Sequence, residues 1–440
     1  MPRQNLVVLV IAAVVSIVCF RQADSAHRSE YGRMYDTFAE VLKEVDAYYL
    51  RKVENQQLFE GALQGIMGRL DPYSAYIGPD QFAEFVATLE QRFGGVGIEV
   101  TINAETGALE VTTPLADSPA FAAGVRAGDI IKKIDGRSTE GLVPDDIDEI
   151  VGRLRGRQGV VQLTVMHKGE TEPVEISIGR AMIPVDSVLG DARDAENHWD
   201  FFLAGEERIG YVRIANFGEN TERELNEALA WLAERNVRGL ILDLRNNRGG
   251  VFDQAVATCD LFLKEGRIVS TRGRDGVEIK AEEASGNAPY AELPLVVLVN
   301  QHTASAAEIV AACLQDHGRA IVVGQRTYGK GTVQNVIRLE GGRSLLKLTT
   351  ASYWRPSGQD IHRYPDIKDQ EHWGVQPNAG YEVPLDEAAT NELARRRHQR
   401  DVIRAGDEAP PAVEQPPEVA TSEDPQLKRA LEALTALLAR

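Results

Sequence analysis

A chain of 440 residues with 43% hydrophobic content is long enough for about three domains with ordinary buried cores. Its 66 acidic and 48 basic residues give a net charge of −18. A nucleic-acid partner is excluded on that balance, because binding a phosphate backbone calls for a basic surface.

Residues 1–26 are read as a targeting segment. Arg3 is followed by the apolar run Leu6 to Phe20, with Ser16 inside it. As a helix that run spans ~22 Å, short of the ~30 Å hydrocarbon core, so a secretory signal fits better than a stable span. Ala23-Asp-Ser-Ala26 offers small residues for cleavage, and an uncleaved N-terminal membrane anchor is the alternative. Val18 before Cys19 argues against a lipoprotein signal. Either way the body of the chain is expected to be exported, to the periplasm or cell envelope. Cys259 and Cys313 lie on separate apolar patterns and read as buried small hydrophobes rather than a disulfide framework.

Residues 27–92 read as helical. Phe38, Val41, Leu42, Val45 and Tyr49 recur at helical spacing, a second helix follows to Leu70, and Asp71-Pro72 stops it. A third helix is expected from Gln81 to Gln91. From Phe93 to about 180 the chain turns to short β-like runs with glycine-marked turns and helical pieces at Pro119–Ala123 and Asp145–Leu154, a compact β-rich module. Residues 181–385 alternate strand and helix: Ile209–Ile214, a helix from Thr221, the apolar run Leu240–Leu244, Leu295–Asn300, a helix Ser305–His317 and Ala320–Gly324. That pattern predicts an α/β core with crossovers. A charged helix is expected over 386–404, then a linker over 405–425 with five prolines, disordered by composition. The end, 426–440, places Leu427, Leu431, Leu434 and Leu438 on one stripe that should dock on something.

The most informative stretch is Asn300-Gln-His-Thr-Ala-Ser305. A buried strand ends and a helix begins there, so Ser305 stands among unpaired amides at a positive helix end. An ordinary N-cap serine would look the same. The helix to His317 runs ~18 Å out. After the turn at Gly318 the strand runs ~17 Å back. Gln325 to Gly331 therefore returns beside Ser305, with Lys330 between two glycines. A lysine base must be neutral, and at a reference pKa of ~10.4 only about 0.04% is neutral at pH 7. A Ser–His–Asp arrangement stays open at this point. His317 lies a helix length from Ser305, His302 shares its tight loop, and His198 and His362 are further candidates. The glycines at 249 and 250, after the strand ending at Leu244, let backbone amides face a ligand, and the amide of Ala306 is the natural second oxyanion donor.

Five sequence blocks then fall into a familiar order: Asp243-Leu-Arg-Asn-Asn-Arg-Gly-Gly, Thr303-Ala-Ser-Ala-Ala-Glu-Ile, Gln315-Asp-His-Gly-Arg-Ala, Thr327-Tyr-Gly-Lys-Gly-Thr-Val-Gln and Pro356-Ser-Gly. Together they resemble the C-terminal processing (tail-specific) peptidases. Phe93-Gly-Gly-Val-Gly-Ile and Gly124-Val-Arg-Ala-Gly-Asp are similar to that family's PDZ domain, and Leu70-Asp-Pro-Tyr-Ser to its N-terminal helical region. The resemblance implies a crotonase-like α/β peptidase core, with no cofactor and no metal. It implies Ser305 as nucleophile, Lys330 as general base, Gln334 positioning the lysine, and Gly250 and Ala306 as oxyanion donors. Asp316 matches an acidic family position and reads as structural support. Arg248 stands where the family usually has proline, and Ala307 where it has a second serine. Tyr364 to Gly380 fits the family poorly and is given no role.

In the PDZ segment, successive amides of Gly94, Gly95, Val96 and Gly97 would form a nest for a terminal carboxylate, beside a groove lined by Ile98 and Val151. The expected partners are polypeptides with free apolar C-termini, and homo-oligomerisation is left open. A catalytically dead PDZ scaffold and acyl transfer on a thioester are the competing functions; filled catalytic positions argue against the first and the PDZ segment against the second.

Overall fold

The structure, a computed structural model, describes residues 30–89, 92–103, 106–156, 158–194, 196–206, 208–364, 371–403 and 424–439. The signal or anchor segment and all but the last two residues of the expected linker lie outside these. The chain divides into two compact units, Met1–Gly78 with Val336–Leu348, and Pro79–Asn335 with Thr349–Arg440.

In the first unit, helix α1 (Glu30–Tyr48) and helix α2 (Asn55–Met67) lead to strand β1 (Ala75–Ile77). The Asp71 carboxylate accepts from the amides of Tyr73 (2.7 Å) and Ser74 (2.8 Å), so the Asp-Pro-Tyr-Ser sequence builds a turn on its own side chain. That turn delivers β1 to its antiparallel pairing with Leu345–Lys347. The expected apolar stripe lies on α1 from Phe38 to Val45, with Tyr49 just past its end; Phe38, Val41 and Tyr49 are exposed, while Leu42 and Val45 are half-buried.

The second unit opens with helix α3 (Pro79–Leu89) and strand β2 (Arg92–Gly95). A β-rich module follows: β3 (Ile98–Ile102), β4 (Leu109–Pro114), short helix α4 (Pro119–Ala122), β5 (Ile130–Ile134), β6 (Arg137–Ser138), helix α5 (Ile147–Leu154), β7 (Val160–Met166) and β8 (Val174–Gly179). Its sheet runs β3-β4-β5-β7-β8, with β6 on β5, so β3 is an edge strand. Leu109, Val111, Ile131, Ile134, Ile150, Leu163 and Val165 fill its core. Strand β9 (Ala181–Pro184) returns to pair with β2.

The α/β core adds β10 (Val188–Leu189), the small pair β11 (Ala192–Arg193) and β12 (Trp199–Asp200), β13 (Ile209–Ile214), helix α6 (Thr221–Glu234), β14 (Gly239–Asp243) and helix α7 (Phe252–Asp260). Then come the hairpin β15 (Arg267–Arg272) and β16 (Glu278–Glu283), β17 (Leu295–Val299), helix α8 (Ala306–Asp316), β18 (Ile321–Gly324), β19 (Thr332–Leu339), β20 (Ser344–Trp354), helix α9 (Glu387–Asp401) and helix α10 (Pro425–Leu438). Strands β13, β14, β17 and β18 are parallel neighbours in that order, with β10 antiparallel at the β13 edge.

A parallel sheet covered on both faces needs apolar residues at every position, which the runs Leu240-Ile-Leu and Leu295-Val-Val-Leu-Val supply. Leu240, Leu242, Leu295, Val297 and Val299 face the core shared with α6, α7 and α8, while Ile241, Val296 and Leu298 face α10. Both Cys259 and Cys313 are buried thiols on the first side. Helix α10 docks as its pattern requires, but through Leu427, Ala430, Ala433 and Leu434, with Leu431 and Leu438 only partly covered. The alanines permit close approach, and Leu434 occupies the space over Gly239, where a Cβ would lie 2.9 Å from its Cδ1. Leu434→Ala would open a void there and should lower stability by about 2–5 kcal/mol, read from chemical denaturation of the whole chain.

Candidate active site

Ser305 is the N-cap of α8, at φ 56 and ψ −118. A non-glycine residue rarely adopts that backbone, and it persists only where the surroundings impose it. Here the loop between β17 and α8 is bonded at almost every residue. Asn300 Oδ1 accepts from the amides of Asn246 (3.0 Å) and His302 (3.1 Å). The Thr303 hydroxyl donates to the Leu244 carbonyl (2.8 Å), and the Ala304 amide to that of Asn247 (2.9 Å). The loops that follow β14 and β17 are thus one bonded assembly.

Glycines bring the first of those loops against the serine. A Cβ on Gly249 would lie 2.7 Å from Ser305 Cβ and 3.0 Å from the Ala306 amide; on Gly250 it would lie 1.9 Å from the Phe217 carbonyl oxygen. Both have positive φ, 94 and 146. The Asn247 side chain, fully buried, accepts from the Gly249 amide and donates to the Ile214 carbonyl, both at 2.8 Å. Among the described residues, the amides of Gly250 and Ala306 donate to no protein acceptor. Arg248 is exposed at the lip.

Lys330 is tied to Ser305 through a residue to which the sequence reading gave no role. Glu308, fully buried on the first turn of α8, accepts from the Ser305 amide and the Lys330 amide on the same oxygen, Oε2, both at 2.8 Å. Its Oε1 accepts from the Gly329 amide at 2.7 Å and from the Thr327 hydroxyl. Burial lifts the carboxyl to about 7, against the pull of these hydrogen bonds toward the anion. The signal was present in Ser-x-x-Glu, the capping-box spacing, which predicts the Glu308-to-Ser305 bond and nothing of the other three.

The segment 371–378, which had no assigned role, braces the lysine loop from outside. Thr327 exchanges bonds with Val375, its amide donating to the carbonyl (3.0 Å) and its hydroxyl accepting from the amide (2.7 Å). A Cβ on Gly329 would lie 2.8 Å from Trp373, and one on Gly331 would lie 2.2 Å from the His362 amide. His362 Nδ1 lies 3.2 Å from the Gly329 carbonyl oxygen, so this histidine adjoins the lysine loop through backbone atoms. The other histidines stand elsewhere: His302 is exposed, His317 Nε2 contacts the Arg267 carbonyl at 2.7 Å, and His198 is exposed near Asp194. Gln334 donates to the hydroxyls of Thr332 (2.9 Å) and Thr349 (3.2 Å). Asp316 holds Arg355, with a 2.6 Å ion pair at the far end of α8.

In the β-rich module, residues 94–97 divide between a strand and a turn. Gly94 and Gly95 belong to β2, paired with Met182 and Ala181, and the Gly94 carbonyl accepts from Gly156 (3.0 Å). Gly95 also lets β2 pass close to the end of α5: a Cβ there would lie 3.2 Å from the Leu154 carbonyl oxygen. The turn itself is Val96-Gly97-Ile98. Gly97 has φ 85, and a Cβ there would lie 2.2 Å from Ser118 Cβ. Val96 is buried, while Ile98, on the edge strand β3, and Val151, on α5, are half-buried; β3 and α5 pack together.

Comparison with known proteins follows the same divisions. Residues 208–378 match the model for peptidase family S41, 110–165 that of the PDZ domain, and 16–81 that of the activating protease CtpB N-terminal domain. A carboxy-terminal-processing protease of Bartonella bacilliformis is 36% identical over 372 residues, covering 83% of this chain and 81% of that protein. A carboxyl-terminal-processing protease of Synechocystis is 36% identical over 345 residues, 77% of this chain and 75% of that one. Among solved structures, a Bacteroides fragilis protein assigned to the S41 proteases superposes with TM-score 0.51 at 16% identity, over 89% of this chain and 92% of that one, a likeness of fold. The chain, with its helical N-terminal region, PDZ domain and α/β core, therefore belongs to the C-terminal processing proteases of family S41 and is a serine peptidase.

Proposed function

We propose that this chain is an exported endopeptidase in which Ser305 and Lys330 form the reacting pair. The observation that carries this reading is the shared Glu308 oxygen, which fixes the backbones of Ser305 and Lys330 to one point. In the proposed cycle, neutral Lys330 Nζ takes the proton of Ser305 Oγ as that oxygen attacks the scissile carbonyl carbon. The amides of Gly250 and Ala306 receive the oxyanion. Collapse breaks the C–N bond, and the lysine returns the proton to the departing amine. Water, deprotonated by Lys330, then releases the acyl group and restores the serine. Bringing the lysine pKa from ~10.4 to 7–8 requires about 4 kcal/mol against its charged form, which partial burial and the adjacent N-terminus of α8 both favour. With its Nε2 donors on two threonines, Gln334 has Oε1 as the acceptor it could offer the lysine.

The PDZ domain is proposed to read free C-termini of unstructured polypeptides. Edge strand β3 has backbone groups open to an added strand, and the Val96-Gly97-Ile98 turn lies at its start. Export is proposed from the apolar run at residues 6–20, cleaved or retained as an anchor; among the described residues no helix is long and apolar enough to cross a membrane. Fractionation of producing cells tests the location, and a cytoplasmic pool alone would refute export.

Ser305→Ala and Lys330→Ala should each abolish cleavage of an unfolded protein while the thermal transition stays in place. Full turnover by Lys330→Ala would eliminate the lysine base. A rise in rate with pH should follow the lysine, and should survive substitution of His302.

Glu308→Gln keeps size but turns N–H groups toward donors. It should cost about a hundredfold in kcat with little change in KM, the scale of an ångström's misplacement. Its stability effect has a definite sign. With a folded pKa near 7 against an ordinary 4.5, the Glu308 contribution is full below about pH 4.5 and lost as pH rises through about 7. The stability of wild type relative to Glu308→Gln should therefore fall between pH 5 and pH 8 in denaturant melts. A constant difference would show that the carboxyl is not raised.

For substrate selection, paired peptides ending in a free acid or an amide separate the terminal charge from all other contacts. The acid should be favoured roughly ten- to a hundredfold, the value of about 1.5–3 kcal/mol for one charge-assisted contact. Equal cleavage of both by the whole enzyme would remove C-terminal recognition from this reading.

A further inference from the structure

The first turn of α10 is polar and buried, in contrast to the apolar face on which the rest of the helix docks. Asp424 is the N-cap, accepting from the amides of Gln426 (3.1 Å) and Leu427 (2.9 Å). It also makes a 2.9 Å ion pair with Arg245. Gln426, 1% exposed, accepts from Arg245 Nη1 at 3.1 Å and donates to Gln325 Oε1 at 3.2 Å and to the Val383 carbonyl at 3.0 Å.

Those contacts fall at two particular places. Arg245 immediately precedes the Asn246–Gly250 loop that lies against Ser305. Gln325 opens the 325–331 loop that carries Lys330, and is itself anchored by its amide to Val299 (3.1 Å) and by its side chain to Leu385 (3.1 Å). Arg245 is held from its other side by Asp243, with Nη2 2.7 Å from Oδ2. Buried ionic groups contribute little net stability compared with well-packed apolar ones, so their placement calls for another account. The family match ends at residue 378, and α10 lies beyond it.

We infer that Asp424 and Gln426 are positioning residues for catalysis: docked α10 sets the spacing between the oxyanion loop and the lysine loop by holding the residue at the entry to each. The inference rests on the reading that Ser305 and Lys330 react. Neither residue would touch substrate. Their effect would pass through Arg245 to Gly249 and Gly250, and through Gln325 to Lys330.

The test uses the full chain and a short peptide substrate. Asp424→Asn retains a capping oxygen and removes the charge facing Arg245; Gln426→Leu keeps bulk and removes all three side-chain bonds. Arg245 remains paired with Asp243 in each, so no lone buried charge is created. The double variant should lose at least tenfold in kcat with KM within twofold, while amide hydrogen exchange over 427–438 stays as slow as in wild type. Asp424→Glu, which keeps the charge that Asp424→Asn removes, should retain most of the activity lost in the single Asp424→Asn variant. Wild-type kcat in the double variant with α10 still protected would overturn the inference. Should exchange instead show α10 released, Leu427→Ala with Leu434→Ala releases it from the apolar side; an equal fall in kcat there supports the brace, and unchanged kcat overturns it. Ser305→Ala separates the two levels: turnover surviving that change would refute the serine–lysine reading, whatever the α10 variants show.

Discussion

One buried carboxylate organises the catalytic half of this molecule. Glu308 collects the amides of Ser305, Gly329 and Lys330 and the hydroxyl of Thr327 within a site closed to water. Each of those donors would be expensive to bury unpaired, and the carboxylate would be more expensive still. Their mutual satisfaction leaves one low-energy arrangement, in which the start of α8 and the loop after β18 are joined. The unusual backbone of Ser305 and the glycines around Lys330 become tolerable because this junction fixes them.

The junction lies where the sheet directs it. Chain leaving the carboxyl ends of β14, β17 and β18 forms the three loops at 244–250, 300–305 and 325–331, the place where open α/β sheets present ligand sites. Apolar helices cover one sheet face and the apolar side of α10 packs on the other, so the loops rest on a closely packed floor. On the other face, α9 is held by polar contacts rather than by a greasy stripe: Arg397 and Arg400 reach Asp191, Arg397 also reaches the Tyr211 hydroxyl, and Asp401 pairs with Arg213. Tyr211 in turn donates to Asp243 at 2.6 Å, which links this network to Arg245.

The order of strands and helices, and the return of Lys330 toward Ser305, were legible because they follow from local periodicity and from rise per residue. The α10 stripe was legible as a docking face, but not that Leu434 would seat itself over Gly239, since that depends on the glycine opposite. The α1 stripe shows the complementary case: spacing specifies an amphipathic helix, not what lies against it. The pairing of Gly94 and Gly95 with β9 had no signal of its own, because a glycine run looks the same whether it serves a ligand or a close strand crossing. Glu308 and Val375 are the clearest losses. Their roles come from partners tens of residues away, and a one-dimensional pattern holds no trace of them beyond the capping box.

Two amides on one oxygen also limit how this site can fail. Movement that breaks either bond to Oε2 leaves a buried carboxylate and a buried amide short of a partner, so the cost is shared by both segments. A disturbance that begins at the start of α8 is therefore felt at the lysine loop, and the reverse, so the two segments should loosen together rather than one at a time.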